Sequence, residues 1–361
     1  MFNKIYVKHL YQVYTVRLLN VTLVFSSLIF IMNILEELRF FSDIDDVGIG
    51  YPILLTILNL PSILFEIFPF IILIATQFFF IKFQTNSEIL IFKNNGINNL
   101  KIISYICLLV FFIGILFVSV FHFLSSNMKN NYLEFKNKYT KDNKYLAVIN
   151  ENGLWIKDKL GDKIMIIHSE KIEKNILKTL VITLFDQDFR NESNIIAKEA
   201  VITNKNWKIK DALVIDSQGK IESSQNIDFE TNFDYKKINS LFSNLESLNI
   251  YELFKQRKDF ESVGLNVSDI DIYLHKIFSI PISLVIFALL SSILMFQIKL
   301  KKSKSFILIL GVLLSVTIYY IDYFFGLLGS NNKIPILLAI WLPNFILFLS
   351  CMIGVVNINE K

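Results

Sequence analysis

The sequence predicts a membrane α+β protein: six transmembrane helices in a 3+3 arrangement around one inserted β-jellyroll or sandwich domain. Three observations point there. Six apolar runs, Val13–Leu35, Ile53–Phe83, Ile102–Leu124, Ile277–Ile298, Phe306–Leu328 and Ile334–Val356, have the roughly 20-residue length that carries a helix across about 30 Å of hydrocarbon. The block 125–271 between the third and fourth runs is polar and holds none of the six prolines. Mean hydropathy of +0.49 and a hydrophobic content of 53% are too high for a soluble chain. Residues 1–124 and 272–361 are thus the two membrane halves and 125–271 the insert.

Orientation follows from charge. Lys4, Lys8, Arg17, Lys82, Lys93, Lys101, Lys299, Lys301, Lys302 and Lys304 flank run ends that share one side, while the first loop carries Glu36, Glu37, Asp43, Asp45 and Asp46 against Arg39. The positive-inside rule then puts both termini in the cytoplasm and the insert outside. Because the basic residues sort by membrane side, the net charge of +4 does not describe a nucleic-acid surface. Cys107 and Cys351 lie in apolar runs, so the insert must fold without disulfides.

The first run follows a short lead in which Phe2, Ile5 and Tyr6 alternate with Lys4 and Lys8, either an interfacial helix or an ordinary basic flank. The run is longer than a signal-peptide core and no small-residue cleavage pattern follows, so it is expected to be retained. Pro52, Pro61 and Pro69 predict a short outer-interface helix leading into the second span. Glu66 lies in that run, where an ionisable group needs a cavity or polar partner unless it sits near the surface.

Between the second and third runs, Asn86 is placed to cap a short helix, Glu88 to sit favourably at its N-terminal dipole end, and Gly96 to stop it. Ile89 and Phe92 fall one turn apart on one side. A helix so short needs a surface to pack on, either its own bundle or a cytoplasmic partner.

The insert reads as β strands: Lys144–Ile149, Leu154–Lys157, Lys163–His168, Thr179–Phe185, Ile195–Ile202, Trp207–Ile209, Ala212–Asp216 and Asn226–Phe229. Leu160-Gly161-Asp162 and Ser217-Gln218-Gly219 are the hairpin turns. Several strands are apolar on both faces, as in a buried sandwich centre or in a sheet whose inner face holds a lipid chain. A helix over Ile250–Glu261 returns the chain to the membrane.

At the outer ends of the last spans stand His275 and Lys276, with Asp322 behind Tyr319 and Tyr320, and Lys333 between the final two runs. Lys276 can snorkel to lipid phosphates in general or bind one specific headgroup. The chain has no phosphate-binding GxxxxGK[ST] loop, no HExxH or cysteine pair among its four histidines, and no GxSxG elbow. ATP-driven work would therefore need a partner, and a metal site or nucleophilic catalysis is not indicated.

Ser87-Glu88 followed by Gly96, Gly153-Leu-Trp-Ile-Lys-Asp158, Lys276 with Pro281, the Tyr320–Asp322–Phe325–Gly326 stretch, and Ile334-Pro335 with Trp341-Leu-Pro-Asn344 recur in an order and spacing that resemble the LptF/LptG permease family of the lipopolysaccharide exporter, more like LptG. The resemblance covers the whole chain. It implies a periplasmic β-jellyroll, a V-shaped cavity shared with a homologous LptF-like subunit, and an LptB ATPase dimer docking on the helix around Ser87, Glu88, Ile89, Phe92 and Gly96. It further implies LptC and the LptA bridge as periplasmic partners, lipopolysaccharide and membrane lipids as ligands, and no cofactor on this chain, ATP being bound by the ATPase. Headgroup contacts then fall to Arg39, Lys276 and Lys333, with Glu66 and Asp322 as intramembrane polar candidates. Where relatives often carry a lysine late in the first span, this chain has Asn33. Two rival readings remain: an FtsX- or MacB-like mechanotransmission subunit, and a membrane glycosyl- or acyltransferase using Glu66 or Asp322.

Overall fold

Among the described residues of the computed structural model, six helices are long and apolar enough to cross a membrane: Ile5–Phe41, Gly50–Thr85, Asn99–Lys136, Ser268–Phe296, Ser305–Ser330 and Ile336–Val356. The structure describes residues 2–42, 44, 47–139, 146–150, 153–160, 163–173, 175–186, 189–235, 238, 244–263, 266–297 and 304–359. Asp43, Asp45, Asp46, Lys144, the Gly161-Asp162 turn and Lys299, Lys301 and Lys302 lie outside these. In chain order the helices are α1 (Phe2–Phe41), α2 (Gly50–Thr85), α3 (Glu88–Asn94), α4 (Asn99–Leu116), α5 (His122–Asn137), α6 (Ile250–Val263), α7 (Ser268–Gln297), α8 (Lys304–Ser330) and α9 (Ile336–Asn359); a π turn, Phe117–Phe121, joins α4 to α5. The chain separates into two compact units, Met1–Tyr132 with Ile272–Lys361, and Leu133–Asp271.

The second apolar run is one continuous helix rather than an interface helix followed by a span. Pro52 sits in its first turn, where no backbone donor is needed. Pro61 and Pro69 lie inside and each removes one donor, which spanning helices tolerate. At 36 residues it runs for about 54 Å, longer than the hydrocarbon core.

Lipid is as apolar as a leucine side chain, so helices of the membrane unit gain from close packing and interhelical hydrogen bonds rather than from apolar burial. The rings of Phe68 and Phe117 stack at 3.8 Å. Gly114 of α4 lies against Pro281 of α7, where an added Cβ would stand 2.7 Å from the proline Cα. The buried Tyr14 hydroxyl donates to Thr76 Oγ1 at 3.1 Å, since Thr76 itself donates to the Ile72 carbonyl. Gln77 donates to the Ile307 carbonyl at 3.0 Å and Ser291 to that of Leu73 at 3.0 Å. Each such bond contributes about 0.6 kcal/mol in a bilayer.

The second unit is built on strands β1 (Leu146–Asn150), β2 (Gly153–Leu160), β3 (Lys163–Glu173), β4 (Ile176–Phe185), β5 (Asn191–Val201), β6 (Asn206–Asp216) and β7 (Ile221–Glu230). They pair in sequence order as one antiparallel sheet. The inserted β domain is thus as expected, while the crossing connections of a jelly roll are absent among the described strands.

Burial shows how one meander forms a core. Ile156, Ile167, Ile182 and Ile195 are successive cross-strand partners and all are buried. So are Ser169, Leu180, Ala197 and Ala212 in the next row of the same face. Pairing is then skipped along one line through Glu170, Thr179, Lys198, Asp211 and Gln225. Thr179 and Asp211 on that line have positive φ, 53° and 52°. Beyond it, the buried row is Ile172, Leu177, Ala200 and Ile209, three residues rather than two from the row before. Strict alternation is broken at the same place in the five strands β3 to β7, as in a sheet folded over itself. Hydrogen bonds from Thr231 and Asn232, just past β7, to Asp158 of β2 close the fold across strands that are not neighbours in the sheet.

This phase break explains why the sequence divides β6 into Trp207–Ile209 and Ala212–Asp216; the ladder runs through both, with Asp211 at the crease. Gly219, at φ 78°, donates to the Asp216 carbonyl at 2.8 Å in the expected Ser217–Gly219 turn. The expected helix is α6, started by a capping box in which the Glu252 N–H donates to Asn249 Oδ1 at 3.0 Å and the Asn249 N–H to Glu252 Oε2 at 2.9 Å.

Candidate functional site

Two clusters in the membrane unit gather the residues singled out from sequence. The first surrounds α3. Its N-cap is Ser87, left-handed at φ 56° and without a side-chain capping bond; Asn86, expected to cap, instead donates its amide to Glu88 Oε1 at 3.0 Å. The other carboxylate oxygen of Glu88 accepts from His9 Nε2 of α1, also at 3.0 Å. The C-terminus is a Schellman turn: Gly96, at φ 76°, donates to the Lys93 carbonyl, and Ile97 to that of Phe92.

Phe92 is buried, edge-on to Phe83 at 5.1 Å and to Tyr6 at 5.8 Å. Ile89 packs beside it on the same core. The inward face therefore anchors the helix to its own bundle. The outward face carries Leu90 and Ile91, 61% and 59% exposed, an apolar pair that periodicity over so short a helix did not separate from Ile89 and Phe92. His9, too, was visible in the sequence only as one of four scattered histidines.

The second cluster lies where α1 ends. Asn33 and Glu37 are buried. Asn59 of α2 donates to Asn33 Oδ1 at 3.4 Å and accepts from Lys129 Nζ of α5 at 2.8 Å. The Tyr132 hydroxyl donates to Glu37 Oε1 at 2.9 Å. Lys129 enters this network from α5, 96 residues beyond Asn33 in the chain.

Arg39 is exposed on the last turn of α1, and Glu66 is exposed on α2. Lys276 of α7 runs along Gly326 of α8, its Nζ standing 3.7 Å from where a Cβ would be, and is the cation whose field reaches the half-buried Asp322 one turn earlier. Lys333 follows the α8 C-terminus in a second Schellman turn, its N–H donating to the Leu328 carbonyl at 2.9 Å while Asn332 takes φ 56°. The fold brings Lys276 and Asp322 together and leaves Arg39, Lys333 and Glu66 on separate elements.

A family model described as lipopolysaccharide export system permease LptF/LptG matches residues 8–356. A comparison with curated proteins finds no match.

Proposed function

Since the chain belongs to the lipopolysaccharide export permease family LptF/LptG, we propose that it is the non-catalytic subunit of an ABC-type exporter that lifts lipopolysaccharide out of the inner membrane and passes it to a periplasmic β bridge. The match over residues 8–356, which includes both membrane halves and the insert, carries this reading. Residues 1–124 and 272–361 act as the membrane halves and 125–271 as the periplasmic domain, with both termini cytoplasmic. Lys82, Lys93 and Lys101 at one set of helix ends and Glu36 and Glu37 at the other support that orientation. A homologous second subunit, an LptB-type ATPase dimer that binds the ATP, and LptC- and LptA-type β proteins complete the system.

Each acyl methylene drawn into water costs about 0.8 kcal/mol, so the lipid should pass from one apolar surface to another. The exposed Leu90–Ile91 pair beside Glu88 suits α3 to receive the ATPase. Arg39, Lys276 and Lys333 serve the headgroup phosphates.

The test is the full chain assembled with its ATPase and second subunit in vesicles containing lipopolysaccharide. Glu88→Ala should retain the ATPase and ATP hydrolysis while lipid release falls; unchanged release rejects α3 as the coupling element. A thiol introduced at the exposed Lys208 that reacts only from the cytoplasmic side rejects the orientation.

A further inference from the structure

We propose that His9 is the positioning residue that makes α1 move with α3, so that a push on the short helix is delivered to the first span. The inference rests on the reading of α3 as the coupling element, and concerns what that element pulls.

Tyr6 and His9 lie three residues apart, on one face of α1, and both touch α3. Tyr6 meets Phe92 edge-on at 5.8 Å. His9 Nε2 donates to Glu88 Oε2 at 3.0 Å. The two contacts differ in kind. An edge-on pair of rings has a shallow energy and lets helices slide, whereas a hydrogen bond to a carboxylate weakens steeply once its distance or angle is lost. The Asn86 amide, on the other oxygen at 3.0 Å, fixes the carboxylate so that Oε2 points at His9. Tyr6 is in addition tied to α4 by its hydroxyl, 3.1 Å from that of Tyr105, so the ring alone can remain with α4 when α3 shifts.

Of the six candidate spans, α1 is the least buried. Its one buried face, with Leu10, Tyr14 and Leu18, packs along α2, and directional contacts at its ends add to that packing. The network at Asn33 and Glu37 holds the far end to α2 and α5; His9 holds the near end to α3. A displacement of α3 then tilts α1 about the far attachment, and the lipid-facing residues of the first span move without any contact of their own to the ATPase.

The experiment uses the complete exporter in lipopolysaccharide-containing vesicles, with spin labels at the exposed Ile5 of α1 and Asn94 of α3. The native chain and His9→Gln, whose amide still donates, should show one narrow label distance that is the same without nucleotide and with ATP trapped. In His9→Leu the distance should change between the two states, with lipid release per ATP down about two- to fivefold, as for one solvent-exposed hydrogen bond to a carboxylate, and ATP hydrolysis retained. A distance that stays fixed in His9→Leu, or a His9→Gln chain that behaves like His9→Leu, overturns the proposal. If Glu88→Ala leaves release intact, the coupling reading of α3 fails, and the label distance still decides separately whether α1 follows α3.

Discussion

Asn232 and Asp158 are joined by two hydrogen bonds across the folded sheet: the Asn232 backbone N–H donates to Asp158 Oδ2 at 2.9 Å and its amide to Oδ1 at 2.9 Å. The Thr231 hydroxyl adds a bond to Oδ2 at 2.6 Å and the Lys159 N–H one to Oδ1 at 2.8 Å. The carboxylate is fully buried and ties β2 to the segment after β7. Asp158→Ala leaves these donors unsatisfied and should cost about 3 kcal/mol or more. Thermal unfolding of the purified chain, followed by tryptophan fluorescence, measures it; a loss below about 1 kcal/mol, the size of one ordinary hydrogen bond, would show that the carboxylate does not hold the sheet closed.

The crease predicts an unusual gain. Thr179 is β-branched yet left-handed, at φ 53°, a conformation that costs a non-glycine residue about 1–3 kcal/mol. Thr179→Gly should raise the stability of the sheet unit by about 1 kcal/mol, although glycine weakens ordinary strands. Destabilisation in the same melt would refute the crease at this residue.

Gly114→Ala tests helix packing. The added methyl meets the backbone of Pro281, 2.7 Å from its Cα, so one helix must shift, at about 1–3 kcal/mol. Gly311→Ala meets the side-chain amide of Gln77, not backbone; that amide must give up its bond to the Ile307 carbonyl, worth about 0.6 kcal/mol in a bilayer, so the change should cost less. The order of the two melting temperatures in detergent decides.

Lys276→Ala should weaken lipopolysaccharide binding about fivefold, the equivalent of about 1 kcal/mol for one basic residue at a membrane surface. Asp322→Asn should strengthen it, because the competing anion beside Lys276 is removed. Binding to the chain in nanodiscs, titrated with lipopolysaccharide, reads both; equal affinities for the native chain and Lys276→Ala would remove Lys276 from the headgroup site.

Arg257 donates to Asp271 at 2.5 Å and to Glu261 at 3.1 Å, and the hydrogen bond to Asp271 raises its pKa above the ordinary arginine value. A raised pKa in the folded state means that the stabilisation is present below the unfolded pKa and lost only as pH rises through the folded one. That window lies above any working pH, so the pair should contribute equally at neutral and mildly alkaline pH. Arg257→Lys, losing the forked geometry, should cost about 1 kcal/mol or less for a half-buried pair that water still reaches, by the same amount at both pH values in parallel melts.

The motifs that resemble the permease family turn out to divide between architecture and surface. Gly153 takes φ 119° where any Cβ would collide with the Ser169 carbonyl, and Asp158 closes the sheet. Gly96 stops α3, and Gly326 lies beside Lys276. A motif match shows that such residues stand in order but not which of them face a partner. His9 belongs to no motif, and only the fold places it beside Glu88; the fold likewise decides that Leu90 and Ile91 face outward.

By itself the sequence determined the six spans, the inserted β domain and the short helix between the second and third spans. These depend on run length, local alternation and capping residues, which act over neighbours in the chain. Tertiary structure alone decided that α2 passes unbroken through its prolines, that a crease shifts the buried face of five strands, and that Lys129 reaches Asn59, 70 residues away. It also decided that Glu88 is held by His9, 79 residues distant. Contacts between residues so far apart are set by how whole elements pack, and no pattern within any one element records them.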